Sequence, residues 1–425
     1  MLSDLFDFSG QDVLSFAKLR GGWAQVGSDT DAYRLSDYYA LGTPVGDNPT
    51  ASPSNTLPNF DLKPEIQTSY EFGTDLRFFN NKLSLDATYY NSVSRNQILD
   101  IDLPITSGKT ARTINAGKIR NQGLEIMLSA NPVSNQSFNW NTSFNFGLNR
   151  NKVLELADGV ERYQYGGNGI SLVAEEGGSL GDMWGTGLVK VEDENSPYYG
   201  DVIFNEGLVQ QDNTLRKLGN FNPDFTLGWN NTITYKNLSL NFLLDWRQGG
   251  ELLSRTRLIA ATSGNVVETL WGRSPEYGGP HPGIADSGLS YVNGDGVTQT
   301  DGIIGDGVKL QDGEYVPNDV IVPANAYHNN RYRRNNETEG IYDATFIKLR
   351  EARLTYDFPT KLFKGDDIKN LSFSVIGTNL WLWAKDFNHG DPELLSFGGG
   401  SYVPGVENAT VPTTRSLGFA INVEF

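Results

Sequence analysis

The chain ends on Leu417-Gly-Phe-Ala-Ile-Asn-Val-Glu-Phe425, an unbroken alternation of apolar with small or polar residues. Successive residues of a strand point to opposite faces of a sheet. Leu417, Phe419, Ile421, Val423 and Phe425 therefore share one face, and Gly418, Ala420, Asn422 and Glu424 the other. Two folds accommodate such a strand. Its apolar face meets lipid in a transmembrane β-barrel, or a second sheet in a soluble sandwich.

The same period recurs along the chain. Tyr70, Phe72, Thr74, Leu76 and Phe78 oppose Glu71, Gly73, Asp75 and Arg77. Phe138, Trp140, Phe144, Phe146 and Leu148 oppose Asn139, Asn141, Ser143, Asn145 and Asn149. Leu238, Leu240, Phe242, Leu244 and Trp246 oppose Ser239, Asn241, Asp245 and Arg247, with Leu243 as the exception. Strands are expected near 14–27, 65–79, 82–98, 118–131, 138–150, 223–235, 238–248, 344–358, 370–383 and 414–425.

The links between these segments separate the two folds. Asn80-Asn81 and Lys236-Asn237 are two-residue links that tolerate φ > 0 and close tight hairpins. The links 132–137 and 359–369 are also short, whereas 28–64, 99–117, 151–222, 249–343 and 384–413 are long. Strict short–long alternation belongs to outer-membrane barrels, which have short periplasmic turns and long outer loops. With an even number of strands, the first rises from the periplasmic side and the last returns there, leaving Phe425 at the periplasmic rim. Charges fall overwhelmingly on the polar face, as a water-facing lumen requires. The segment Phe346–Phe358 breaks the rule, because Ile347 and Leu349 share parity with Glu351 and Arg353. A bulge or a strand end near the rim accounts for such a break.

Composition excludes other classes. No run approaches the roughly 18–20 apolar residues of a membrane helix. The net charge of −17 argues against a nucleic-acid partner, which requires a basic patch. The chain has no cysteine, which is compatible with an oxidising compartment. Met1–Gly10 has neither a basic nor an apolar leader region, so the reading favours a truncated chain.

A set of short motifs then becomes recognisable: Lys18-Leu-Arg-Gly-Gly-Trp-Ala-Gln-Val-Gly27, Leu62-Lys-Pro-Glu65 with Ser69-Tyr-Glu-Phe-Gly73, Tyr89-Tyr90, Asn115-Ala-Gly117 with Ile119-Arg-Asn-Gln-Gly-Leu-Glu125, Gly219-Asn-Phe-Asn-Pro-Asp-Phe225, Ala344-Thr-Phe-Ile-Lys-Leu-Arg-Glu351, Gly377-Thr-Asn-Leu380, Asp391-Pro-Glu393 and the terminal Phe425. In this order the chain resembles the C-terminal part of SusC/RagA-type TonB-linked outer-membrane transporters of the Bacteroidota. The resemblance implies an all-β antiparallel barrel of about 22 strands, of which residues 1–425 supply about 10, without the plug domain. It also implies outer-membrane localisation, glycan or peptide import, a SusD-like lid lipoprotein, a TonB complex reached through the missing N-terminal part, and no cofactor or enzymatic activity. Ten strands cut from a wider barrel leave two open edges, each costly in hydrocarbon. The second reading is an autonomous ten-strand barrel with an adhesion or structural role, in which strands 14–27 and 414–425 pair with each other. An outer-membrane esterase or phospholipase ranks last, because no paired motif supports it.

Candidate sites are few. Trp184, Trp271 and Tyr277 in long loops or at strand ends offer flat faces that could stack on sugar rings of a ligand above the barrel. Trp381, Trp383 and Phe425 are expected in the interfacial aromatic girdle. Asn293-Gly-Asp-Gly296 with Asp301, Asp306 and Asp312 suggests calcium, but Val297 replaces the ligand that an EF-hand requires at the fifth position, so a solvated loop is the better reading. Asp386, His389, Asp391 and Glu393 read as loop polarity or a lid contact, because no partner group completes a catalytic or metal constellation. Arg331-Tyr-Arg-Arg334 reads as a solvated loop that could seat an anion.

Overall fold

A computed structural model describes residues 13–31, 34–167, 169–273, 291–292, 296, 298–299, 302–333, 336–362, 368–394, 396–398 and 401–425. Its frame is one ten-stranded antiparallel sheet in sequential order. The strands are β1 (Leu14–Ser28), β2 (Glu65–Phe78), β3 (Leu83–Arg95), β4 (Lys118–Ser134), β5 (Phe138–Glu155), β6 (Phe225–Tyr235), β7 (Leu238–Gln248), β8 (Phe346–Asp357), β9 (Asn370–Ala384) and β10 (Ser416–Glu424). All ten expected strands are present within a few residues. β5 runs furthest beyond its expected end, because its ladder with β4 continues to Glu155↔Lys118.

The short links sit at one end of the sheet and the long ones at the other. Lys236-Asn237 joins β6 to β7 as a two-residue turn with Lys236 at φ +52°. The link at Asn80-Asn81 is longer than expected. It spans residues 79–82, with Phe79, Asn80 and Asn81 all at positive φ. Asn tolerates that region, which lets the chain reverse there without glycine.

Registers confirm the two faces. Tyr70, Phe72, Leu76 and Phe78 of β2 stand opposite Asn91, Tyr89, Leu85 and Leu83 of β3. Phe144 stacks on Trp229 across β5–β6 at 5.5 Å, and Phe225 meets Trp246 edge-on across β6–β7 at 5.0 Å. The terminal strand bares its apolar face, with Phe419 78% exposed.

The break in Phe346–Phe358 is a bulge at Arg350. Against β7, Leu349 pairs Leu244 and Glu351 pairs Leu243, so Arg350 is the extra residue; against β9, Leu349 pairs Trp381 and Glu351 pairs Thr378, so there Arg350 faces the two residues Asn379 and Leu380. The bulge resets parity, so Ile347 and Leu349 join the apolar face while Glu351 and Arg353 join the polar one.

Among the described residues β1 pairs within the sheet only with β2, and β10 only with β9. The closure between strands 14–27 and 414–425 that an autonomous ten-strand barrel requires is therefore not present.

Most of the buried apolar side chains lie beyond the long-link end of the wall, in folded loops. Strands 162–166, 171–175, 182–188 and 211–220 form one four-stranded sheet, and strands 203–205, 208–209, 308–311 and 314–317 another. Helices α1 (Arg255–Thr262) and α2 (Ala324–Arg331) join them. One core contains Leu188, Phe204, Val209, Ile303 and Tyr327; another contains Leu172, Met183, Leu253, Leu258 and Val406. A wall whose apolar face meets lipid has no second layer to bury it, so the protein-filled core is built where the loops pack on one another.

Candidate functional site

The polar face of the wall is organised by side chains that cross glycines. Gly73 of β2 stands between Arg20 of β1 and Thr88 of β3. A Cβ on Gly73 would land on the Arg20 guanidinium. Without one, Arg20 lies flat across β2 and donates to Asp86 (Nη1–Oδ2, 2.7 Å) and Thr88 (2.6 Å) on β3.

The device recurs one strand pair further on. Tyr90, Gly123 and Asn149 form one row across β3, β4 and β5. A Cβ on Gly123 would strike the hydroxyl end of Tyr90. Tyr90 instead passes over the glycine, and its hydroxyl donates to Asn149 Oδ1 at 3.0 Å. The next row contains Thr88, Glu125, Gly147 and Thr226. Tyr90, Asn149, Glu125, Gly147 and Thr226 of these rows, with Leu148, Phe225 and the loop residues Asn222 and Pro223, line a cavity of about 240 Å³.

Asn149, Asn222 and Pro223 also border a neighbouring cavity of about 420 Å³, where the wall meets the loops. Arg150 pairs with Asp224 (3.2 Å) and Lys385 with Asp343, while Glu251 accepts from the Asn220 amide (2.7 Å). Burial alone would raise the Asp343 carboxyl. Its hydrogen bonds to Lys385 and Thr345 win, and its pKa lies below the ordinary carboxylate value.

A third cluster ties a loop to the wall. Lys348, 1% exposed, donates to Asp391 (2.6 Å) and Glu393 (2.8 Å), while Arg350 bonds Glu393 and Asp245. Thr413 adds a 2.6 Å hydrogen bond to Asp391. Burial raises the Glu393 carboxyl, but the hydrogen bonds from Arg350 and Lys348 outweigh it and bring its pKa down to about 2.

The residues singled out from sequence are dispersed. Trp184 is 7% exposed, and the Arg162 guanidinium lies 4.3 Å from its ring centre, so it packs inside a loop and presents no open stacking face. Trp271 is 49% exposed at the end of a short 3-10 turn. Tyr277 lies outside the described residues, as do Asn293, Gly294, Asp295 and Asp301. Trp381 and Trp383 stand half-exposed on the apolar face, opposite Leu349 and Ile347 near the long-loop end. Phe425 follows β10 at the short-link end, and its carbonyl accepts from Lys369 Nζ at 2.8 Å.

The polar cluster of the last long loop splits. Asp386 accepts from the Asp343 amide (3.2 Å), and His389 packs on Phe387 and Tyr342 with centroids 4.3 and 4.9 Å apart. Asp391 and Glu393 turn to the wall. Arg331 corrects the expectation of a solvated loop. It is held by Glu339 (2.8 Å) and the Tyr327 hydroxyl (2.8 Å) at the end of α2. Sequence reasoning missed Tyr90, Gly123 and Asn149 as a unit. The available signal was a glycine at a polar-face position inside a long strand, which marks a close approach.

A ten-stranded antiparallel wall, apolar on one face and polar on the other with trimmed and elaborate ends, defines a β-barrel membrane protein. Residues 11–245 match the family model described as "TonB dependent receptor-like, beta-barrel", and the chain belongs to that family. It is a family of outer-membrane receptors and transporters, not enzymes.

TonB-dependent receptor P3 of Formosa agariphila is 25% identical over 92% of this chain and 37% of its own length. TonB-dependent receptor P26 of the same organism is 25% identical over 98% of this chain and 40% of its own. TonB-dependent receptor SusC of Bacteroides thetaiotaomicron is 26% identical over 36% of this chain and 16% of its own. The chain thus spans at most about two fifths of those relatives. In fold it is similar to a chain of the RagAB peptide importer in its closed-closed state, with a TM-score of 0.70 and 18% identity over 100% of this chain and 42% of that one.

Proposed function

We propose that this chain forms the C-terminal barrel wall and outer loops of a TonB-linked nutrient transporter that imports oligomeric solutes, glycans or peptides, across the outer membrane. The observation that carries the reading is that, among the described residues, the outer edges of β1 and β10 are unpaired. In hydrocarbon an open sheet edge strands backbone groups at several kcal/mol each. The wall therefore requires further strands, and a partial span of longer receptors is the context that supplies them.

In this reading residues 1–425 belong wholly to the barrel domain, and the plug and TonB-contacting segment lie in the remainder of the transporter. The short-link end with Phe425 faces the periplasm, Trp381 and Trp383 sit in the outer interfacial girdle, and a SusD-like lipoprotein covers the loop end. Trp271, half-exposed in the longest loop, is the remaining described candidate for stacking on a ligand, with Tyr277 near it in sequence.

The test is deletion of the reading frame in the source bacterium, followed by growth on individual glycans and peptides as sole carbon source. Loss of growth on one class of polymer, restored by the gene, is the expected result. Unchanged growth on all of them overturns the reading.

A further inference from the structure

We propose that the recess between Tyr90 and Thr226 on the polar wall is a binding site for one neutral, hydroxyl-rich ring, such as a pyranose unit of an oligosaccharide. The proposal rests on the transporter reading above and names the substrate class at one site.

The recess exists because Gly147 of β5 raises no side chain on the polar face, between Glu125 of β4 and Thr226 of β6. Around this floor stand the Tyr90 ring, the Glu125 carboxylate, the Asn149 amide and Thr226, with Asn222 and Pro223 above. The volume, about 240 Å³, is smaller than a drug-sized pocket and suits a single ring.

The chemistry of the lining selects the ring. Tyr90 already spends its hydroxyl on Asn149 Oδ1. That bond fixes the amide so that Asn149 Nδ2 is left to donate. Among the described residues Asn149 Nδ2, Asn222 Oδ1 and both Glu125 oxygens have no hydrogen-bond partner, and Glu125 is exposed. The site thus offers one fixed donor, an amide acceptor and a carboxylate around an aromatic face. Hydroxyl groups both donate and accept, so a polyol ring satisfies all of these at once.

An apolar peptide side chain fits poorly. Phe225 borders the recess, but its ring turns onto Phe146 and Trp246, and an apolar group would leave the Asn149 amide, Asn222 and Glu125 without partners. The nearby cations Arg20 and Arg150 are already paired with Asp86 and Asp224, so an anionic ligand finds no free counter-charge there.

The test uses the intact transporter containing this chain, purified in detergent, with calorimetric titration of neutral oligosaccharides, uronate oligosaccharides and lysine-containing peptides. Neutral oligosaccharide is expected to bind best. Glu125→Gln should weaken it about tenfold, the scale of one lost charged hydrogen bond. Gly147→Val, which fills the floor while removing no polar group, should weaken it by more, with heat-resistant folding of each variant checked on gels. Neutral binding indifferent to both substitutions overturns the proposal, as does preferential binding of the uronate or lysine-containing ligands. If the deletion strain loses polymer uptake yet this recess proves silent, the transporter reading stands and the proposed site falls.

Discussion

Trp140 Nε1 donates to Asn231 Oδ1 across 3.1 Å, placing a hydrogen bond on the apolar face of the wall. The neighbouring Trp229 Nε1 donates to Thr142 Oγ1 at 2.9 Å, and Thr142 and Asn231 are themselves cross-strand partners. Two polar residues on a lipid-directed face are thus each capped by an indole from the facing strand. Trp140→Phe should remove the cap and destabilise the barrel by about 1–3 kcal/mol, the cost of an unmade buried hydrogen bond. Asn231→Val in the same chain should recover most of it. Urea unfolding in lipid micelles of the single and double variants checks the coupling.

The two faces should respond oppositely to charge. Val375, half-exposed on the apolar face near the middle of β9, should lose about 2–4 kcal/mol as Val375→Arg. Asn145→Arg on the polar face should cost little. Membrane-inserted yield and unfolding midpoint measure both; equal penalties would mean the face assignment is wrong.

Gly73 should tolerate a side chain only when Arg20 is gone. Gly73→Val collides with the crossing guanidinium and should cost about 1–3 kcal/mol, as overpacking does. Arg20→Ala alone should cost less, because the Arg20–Asp86 pair is partly exposed. The double variant should be no worse than Gly73→Val alone. Thermal unfolding of the four proteins gives the coupling.

The strap that Asp391 and Glu393 make to the wall depends on Lys348. Lys348→Met leaves Asp391, 4% exposed, without its cation and should cost about 3–5 kcal/mol. Hydrogen exchange in this loop should accelerate while the distant β2–β3 ladder stays protected.

The same strap should loosen in acid. The Glu393 carboxyl titrates near 2 in the folded protein, below its unfolded value. Its contribution is complete above the unfolded pKa and is lost as pH falls through the folded one. Exchange of this loop relative to the intrinsic amide rate at each pH should therefore be flat from neutral pH to about 5 and rise below about 4. Glu393→Gln should remove most of that rise.

The ten strands were readable because each carries a period-2 pattern over ten or so residues and lipid on one side enforces it. Their order was readable because the short links leave a strand no neighbour but the next. The Arg350 bulge was readable as a parity break, although only the register with β7 placed the extra residue. The long loops were not. Trp184 reads as an exposed loop aromatic, but residues 162–166, 171–175, 182–188 and 211–220 fold into a sheet of their own that buries it.

Contacts made at long range were equally invisible. Asp391-Pro-Glu393 read as loop polarity until the chain brought it to Lys348, 43 residues away. Tyr90 and Asn149, 59 residues apart, become partners only because two ladders align them across Gly123. Sequence by itself determined which face of each strand meets lipid, since that choice is written in alternate residues of one segment. Tertiary structure decided which polar residues meet one another on the other face, because register across several strands belongs to no single segment.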